Sequence, residues 1–159
     1  MKNNSKTVYY SGIEFQKAYP YLNEDILLPL EKFLDMNFPK DYRDFLLNVN
    51  GGYPNKRDFK FANSVEGSTV HFFYGINGMG YDVDFLQQYK YNQPRIPNDM
   101  IHIAADCGGN QILLSVKGKN RGNVYFWAHE LEGSCCGENI ILITTSFNEF
   151  VNMLHEPED

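Results

Sequence analysis

Residues 101–130 contain three short apolar runs that are separated by turn residues. The runs cover residues 101–104, 112–116 and 124–127, and each has the length of a β-strand. Both connections contain glycine and asparagine, which tolerate positive φ and therefore permit sharp turns. Connections this short cannot hold a crossover helix, so the segment predicts an antiparallel meander.

Two helical patterns precede this meander and are separated by Phe38-Pro39. In the first, Asn23 is the predicted N-cap, and Pro29 predicts either a helix start or a kink. Its apolar residues fall on one predicted inward face: Ile26, Leu30, Phe33 and Leu34. The second helix follows Pro39 and ends at Asn50-Gly51-Gly52. Its predicted buried stripe is Tyr42, Phe45, Leu46 and Val49.

The remaining segments complete an α+β pattern of helices, mainly antiparallel strands and a last helix. Residues 52–68 are expected to be loop, and residues 69–74 and 140–144 to be strands. Asp82 is expected to cap a short helix that buries Phe85, Leu86 and Tyr89. Ser146 and Glu149 have the spacing of a capping box for the C-terminal helix. The large aromatic side chain of Trp127 is expected in the core.

The length of 159 residues predicts one domain, residues 1–159, with its core at about 23–154. The net charge is −6, and it is uneven: residues 1–60 carry +1 and residues 61–159 carry −7. An acidic chain is a poor ligand for nucleic acid phosphates, so we expect no direct nucleic-acid binding and a basic partner instead. No apolar run has the length of a signal peptide or membrane helix, which predicts a cytoplasmic protein without membrane contact.

The residues that could carry chemistry show no catalytic spacing. Cys107, Cys135 and Cys136 do not have the spacing of a zinc site. With His129 as a third ligand beside Cys135 and Cys136, a fourth ligand would have to come from a distant part of the chain. We expect reduced thiols and neither metal nor cofactor. Gly108-Gly109 lacks a phosphate-binding motif, and no serine has a nucleophile context. The sequence therefore predicts a protein that is not an enzyme. A hydrolase or metal-dependent enzyme that uses His129 with Glu130 or Cys135 stays open as an alternative.

Two segments together resemble the SUKH superfamily. The first, residues 38–52, reads FPKDYRDFLLNVNGG and is similar to that family's LPxx[FY]xxFLxxxNGG run. The second joins Ile103-Ala104 and Gly108-Gly109-Asn110 to GNVYFWAHE at residues 122–130, and it is similar to that family's IA…GGN…GxV[YF]xWxHE block. Phe38 departs from the usual Leu, and Ala128 stands where an Asp is common, which removes a carboxylate.

The resemblance implies a SUKH-like fold with helices against one curved, mainly antiparallel sheet. It also implies protein binding: bacterial members include immunity proteins that neutralise a cognate toxin, often a nuclease. A fungal branch instead regulates cell-wall assembly through the cell's own proteins, and this scaffold role is the alternative. The resemblance does not predict an oligomeric state. For an immunity protein, carboxylates and aromatic side chains near turns are the expected contact residues. The candidates are Tyr81, Asp82, Asp84, Asp106, Glu130 and Glu132.

Overall fold

The computed structural model describes residues 6–18, 22–76, 83–131 and 139–158, and these residues form four α-helices and ten β-strands. The helices are α1 (Glu24–Leu34), α2 (Lys40–Asn48), α3 (Phe85–Asn92) and α4 (Phe147–Met153). The strands are β1 (Lys6–Tyr10), β2 (Ile13–Ala18), β3 (Tyr53–Pro54), β4 (Asp58–Lys60), β5 (Gly67–Thr69), β6 (Phe72–Phe73), β7 (Met100–Ala105), β8 (Gln111–Ser115), β9 (Val124–Trp127) and β10 (Ile140–Thr144). The predicted α+β class is confirmed.

The centre of the fold is a five-stranded antiparallel sheet in the order β10-β9-β8-β7-β6. Its strands β7, β8 and β9 are the predicted meander, in a register that pairs Ile112 with Phe126 and Ile101 with Leu114. The predicted strand at 140–144 is β10. Every residue of β7 and β8 is buried, because other parts of the chain cover both faces of the sheet at these strands.

The prediction of one strand at 69–74 is wrong, because the pairing partner changes within that segment. The amide of Val70 donates to Arg57 O beside β4, whereas the amide of His71 donates to Ala105 O at the end of β7. The segment therefore divides into β5, which pairs with β4, and β6, which joins the central sheet. Residues 52–68, expected to be loop, contain two further short strands, β3 and β4.

The N-terminal strands form a second sheet in the order β1-β2-β3. It meets the central sheet where the amide of Gly52 donates to Phe73 O and the amide of Phe73 donates to Gly52 O. The turn between β1 and β2 contains Ser11 and Gly12, both with positive φ. The sequence pattern did not predict this hairpin.

Helices α2 and α4 pack against an aromatic core. The predicted stripe of α2 is confirmed, since Tyr42, Phe45, Leu46 and Val49 are all buried. The ring of Phe45 lies 5.1 Å from that of Phe147 and 5.2 Å from that of Phe73, between centroids. Aromatic pairs at such distances and inclined angles add attraction beyond the area they bury. Ser146 Oγ accepts from Glu149 N at 3.1 Å, as the capping box predicted.

Helix α1 begins at Glu24 and contains Pro29 inside it. Asn23 occupies the N-cap position, but its side chain makes no capping hydrogen bond. The predicted inward face is wrong at Phe33, which is 84% exposed, while Ile26 is half-buried. The buried face is rotated and consists of Leu27, Leu30, Glu31 and Leu34. The sequence pattern missed this face because one of its buried positions is a glutamate.

Candidate partner-binding surface

Glu31 is buried because its carboxylate has two partners in the second helix region. Its Oε2 accepts from Phe38 N at 2.8 Å, and its Oε1 accepts from Arg43 Nε at 2.8 Å. Arg43 also binds Glu24 through both terminal nitrogens, at 2.9 and 2.7 Å. These hydrogen bonds lower the pKa of Glu24 and raise the pKa of Arg43. The network holds α1 against the start of α2. No sequence motif predicts it, because the sequence shows only that charged residues occur at these positions.

The Asn50-Gly51-Gly52 segment joins α2 to both sheets. The side chain of Asn50 accepts from Ile76 N and donates to Ile76 O, both at 2.8 Å, and is only 2% exposed. A Cβ on Gly51 would lie 2.8 Å from Gly75 N, and one on Gly52 would lie 2.8 Å from Gln16 O. Both glycines have positive φ. The segment therefore needs these residue types for close backbone packing.

The turn between β7 and β8 is organised by Asp106. Its Oδ1 accepts from Gly108 N at 2.9 Å and from Asn110 N at 2.8 Å. Its Oδ2 accepts from Asn110 Nδ2 at 2.8 Å and from Ser68 Oγ at 3.3 Å. A carboxylate that accepts backbone amides in this way closes the turn on itself. Asp106 is half-buried, and its acceptor capacity is largely used within the fold.

His129, which follows β9, stabilises the same turn. Its backbone amide donates to Asn110 Oδ1 at 3.1 Å, and its Nε2 lies 2.8 Å from Gly108 O, as expected for a ring N–H that donates. Glu130 follows in a 3₁₀ turn at His129–Leu131 and is exposed. We call residues 106–110 and 129–130 the sheet-end surface. Of the candidate contact residues, the structure brings Asp106 and Glu130 together here.

Asp84 is not on the sheet-end surface. It is 5% exposed and caps α3, where its Oδ1 accepts from Leu86 N at 3.0 Å and from Gln87 N at 3.1 Å. The helix cap expected at Asp82 is thus formed by Asp84, and a buried, engaged carboxylate is poorly placed to contact a partner. The predicted contact residues Tyr81, Asp82 and Glu132 lie outside the described residues, as do Cys135 and Cys136.

His102 is a buried histidine that sequence reasoning did not single out. It is 0% exposed, stacks on Phe85 with centroids 4.7 Å apart, and contacts the edge of Tyr74. Its Nε2 lies 3.2 Å from Phe85 O. Burial lowers the pKa of His102 to about 3, so the ring is neutral at physiological pH. It is a core residue that holds α3 against β7.

Trp127 is buried, as the sequence predicted, at 1% exposure. It belongs to a smaller apolar cluster with Ile96, Met100 and Leu113. The guanidinium of Arg95 lies 4.9 Å from the Trp127 ring centroid and 4.7 Å from that of Tyr91, within the range of cation–π attraction. Its burial and these contacts indicate that Trp127 has a structural role.

The described part of the chain holds no group of three or more His, Cys, Asp or Glu side chains arranged to bind a metal ion. Within the same residues, no helix has the length and apolar character needed to cross a bilayer.

Comparisons with known proteins agree with this geometry. Residues 21–153 match the sequence profile of the SMI1 / KNR4 family (SUKH-1). The chain is also similar to the SPbeta prophage-derived uncharacterized protein YokK of Bacillus subtilis (strain 168). The identity is 30% over 158 residues, covering 87% of this chain and 79% of that protein. The family match includes both motif segments described above, so the chain belongs to the SMI1/KNR4 family, SUKH-1.

Proposed function

We propose that this chain is a non-enzymatic protein-binding module that acts as an immunity protein. It binds a cognate toxin of a bacterial contact-dependent or polymorphic toxin system and covers the toxin's active surface. Membership of the SMI1/KNR4 family supports the broad role, because the SUKH group includes immunity and regulatory proteins. The prophage origin stated in the name of the B. subtilis relative also fits a role in defence.

The observation that carries this proposal is the internal use of the family-motif side chains. Asn50 is engaged by Ile76 and His129 by Gly108 O, and Asp106, which lies between the specified motif positions, is engaged by the amides of its own turn. Groups whose polar atoms are satisfied inside the fold stabilise the fold and are not available for chemistry. These internal groups therefore serve the scaffold, whereas Glu130, the last motif residue, is exposed and left for binding.

The sheet-end surface is the proposed contact region for the toxin. Glu130 is exposed there, on a short turn anchored by His129. A carboxylate can take the place of a nucleic-acid phosphate against the Lys and Arg residues of a nuclease. The excess of acidic residues after residue 60 favours the same kind of basic partner. Tyr81, Asp82 and Glu132 remain proposed contacts on the strength of the sequence.

Co-expression with a toxin tests the proposal. The toxin domain encoded beside this gene would be produced in bacteria with and without the chain, and survival and complex formation would be measured. We expect survival only with the chain, and a one-to-one complex by light scattering. Glu130→Lys should weaken the complex at least about tenfold, because it replaces an attractive charge with a repulsive one in the contact.

Asp44→Lys is the matched control, since Asp44 is an exposed carboxylate on α2, outside the sheet-end surface. It makes the same change of net charge and should leave binding within about twofold. Equal weakening by both variants would mean that net charge, and not the sheet-end surface, governs binding. Failure to protect against a toxin encoded beside the gene, combined with binding to one of the cell's own proteins, would favour the regulatory scaffold instead.

A further inference from the structure

A cleft of about 340 Å³ lies beside β2 and β3, and none of its lining residues belongs to the sheet-end surface. It is lined by Gln16, Tyr53, Pro54, Asn55 and Arg57. Lys17 stands at its rim, with Nζ 5.4 Å from the centroid of the Tyr53 ring. This part of the chain belongs to the first 60 residues, which contain nine of the 14 Lys and Arg residues.

The cleft is rich in hydrogen-bond donors that the fold does not use. Within the described residues, no carboxylate lies within ion-pair distance of Arg57 or Lys17. The side-chain oxygen of Asn55 accepts from Glu14 N, and its amide nitrogen has no partner in the described part of the chain. Unused guanidinium, ammonium and amide donors around one cleft fit an anionic ligand.

The acidic groups nearest the cleft in the chain are occupied. Glu14 accepts from Tyr9 Oη at 3.1 Å and from Gln16 Nε2 at 3.0 Å. Asp58 accepts from Thr69 Oγ1 at 2.8 Å. Neutral donors hold these two carboxylates, and within the described residues neither forms an ion pair with Arg57 or Lys17.

The free hydrogen-bond donors of the cleft belong to side chains and not to the backbone, and this favours a carboxylate over a phosphate as the ligand. The amide of Asn55 donates to Glu14 O and the amide of Arg57 to His155 O, both at 2.9 Å, while Pro54 has no N–H. Phosphate sites commonly use free backbone amides, and these are already bonded. The guanidinium of Arg57, together with the Lys17 ammonium over the Tyr53 ring, instead suits the carboxylate of Asp or Glu.

Lys17 reaches the rim because of a β-bulge. The pairing of β1 with β2 shifts register between Lys6 and Val8, and Lys17 has a φ of 55° inside the strand. A bulge changes the direction of a side chain relative to a regular strand. A left-handed conformation at a lysine is unfavourable, so its presence beside this cleft fits a functional position.

We propose that this cleft binds side-chain carboxylates of an acidic segment of a partner protein. The proposal adds a second contact surface to the molecule and does not depend on a toxin binding at the sheet-end surface. Because the chain has a net charge of −6, an acidic segment is repelled by the molecule as a whole and attracted only where basic groups gather.

The proposal is tested by titrating the full-length protein with a short Glu-Gly repeat peptide and measuring the chemical shifts of the protein's backbone amides. We expect shifts concentrated at residues 14–17 and 53–57, and none from the matching Gln-Gly peptide. Arg57→Gln and Lys17→Gln should each weaken binding at least about fivefold, since each removes one charged donor. Lys119→Gln is the control, an equal loss of charge at an exposed turn residue, and should change affinity less than about twofold.

Inorganic phosphate is the competing anion, and it should not displace the peptide. The proposal is overturned if the Glu-Gly peptide causes no shifts at these residues, if Lys119→Gln weakens binding as much as Arg57→Gln, or if phosphate displaces the peptide at equal concentration. Unchanged circular dichroism and melting temperature of each variant establish that it is folded. Within the described residues, the side chain of Arg57 makes no hydrogen bond or ion pair that the substitution would remove.

Discussion

Asn50 and Asp106 are polar residues whose role is structural at the level of single atoms. Asn50 replaces a backbone partner for Ile76, and Asp106 collects the amides of Gly108 and Asn110. Buried polar groups are costly when unpaired and specific when paired, so each of these side chains selects one backbone arrangement. This explains why residues that look suited to chemistry in the sequence define turns and junctions in the fold.

His102 makes stability depend on pH. Burial lowers its pKa to about 3 in the folded chain, whereas the unfolded value is near 6.5. Below pH 6.5 the unfolded state takes up a proton that the folded state does not, so stability falls as the pH falls. Between about pH 7.5 and 5.5 the loss from this group is roughly 1.4 kcal/mol. Urea unfolding at both pH values measures it.

His102→Phe is the comparison variant for this measurement. Phenylalanine keeps an aromatic ring against Phe85 and removes the titrating group, so the variant should lose about 1.4 kcal/mol less than the parent between the two pH values. Its absolute stability is lower because the contact with Phe85 O is lost. The same pH slope in both proteins would show that His102 does not cause the dependence.

Lys17→Gly should raise the stability of the folded chain and weaken the binding of an acidic peptide at the cleft. Glycine adopts the positive φ at this position without steric cost, which outweighs its extra freedom in the unfolded state by about 0.5–1 kcal/mol. Thermal unfolding would show a higher melting temperature. Lys119→Gly provides the contrast: Lys119 is not among the described residues with positive φ, so the substitution should be neutral or destabilising. A lower stability of Lys17→Gly would contradict the strain argument.

At the scale of elements, the Asn50-Gly51-Gly52 segment decides how α2 meets the two sheets. The segment passes so close to Gly75 and to β2 that side chains at the two glycines would overlap backbone atoms. A helix can pack on a sheet only if the connecting chain fits between them, so the close approach fixes the position of α2 over the core.

Gly51→Ala should be among the most destabilising substitutions in the chain, at about 3 kcal/mol or more, because a Cβ meets backbone atoms that cannot move aside. Gly118→Ala separates this clash from the effect of φ: Gly118 also has positive φ, and nothing lies within 4 Å of its Cβ position. It should cost only about 1–2 kcal/mol. Denaturant unfolding of both variants gives the difference, and equal losses would mean that φ alone accounts for the effect.

The elements that the sequence predicted best are those with local signals. Helix α2 has a clear period and a glycine end, and β7 to β10 have apolar runs bounded by turns. The errors lie where distant pairing decides. Residues 69–74 divide into two strands because Val70 and His71 form hydrogen bonds with different parts of the chain. Phe33 is exposed because Glu31, which binds Arg43, takes a place on the inward face of α1.

The candidate contact residues show the same limit. A carboxylate near a turn can be solvent-exposed or can cap backbone amides, and sequence spacing does not separate the two. Asp84 and Asp106 turned out to bind amides, whereas Glu130 is exposed. Arg57 and Lys17 were not identified because β2 and β3 are distant in sequence, and only the sheet brings them to one cleft.

At the scale of the whole molecule, charge is divided along the chain: +1 over residues 1–60 and −7 over residues 61–159. The proposed toxin contact draws on the acidic part, and the proposed carboxylate-binding cleft draws on the basic part. The two surfaces can therefore hold partners of opposite charge without competing for the same groups.

Association with a basic toxin should consequently depend on ionic strength. Salt screens the long-range attraction, so the association rate constant should fall about tenfold or more between roughly 0.02 and 0.5 M salt. The dissociation rate constant should change much less, because it reflects short-range contacts. Stopped-flow mixing measures both rates. Glu130→Lys should show a shallower salt dependence than the parent, and Asp44→Lys serves as the control of equal charge change. An association rate constant that does not vary with salt would contradict an electrostatically steered encounter.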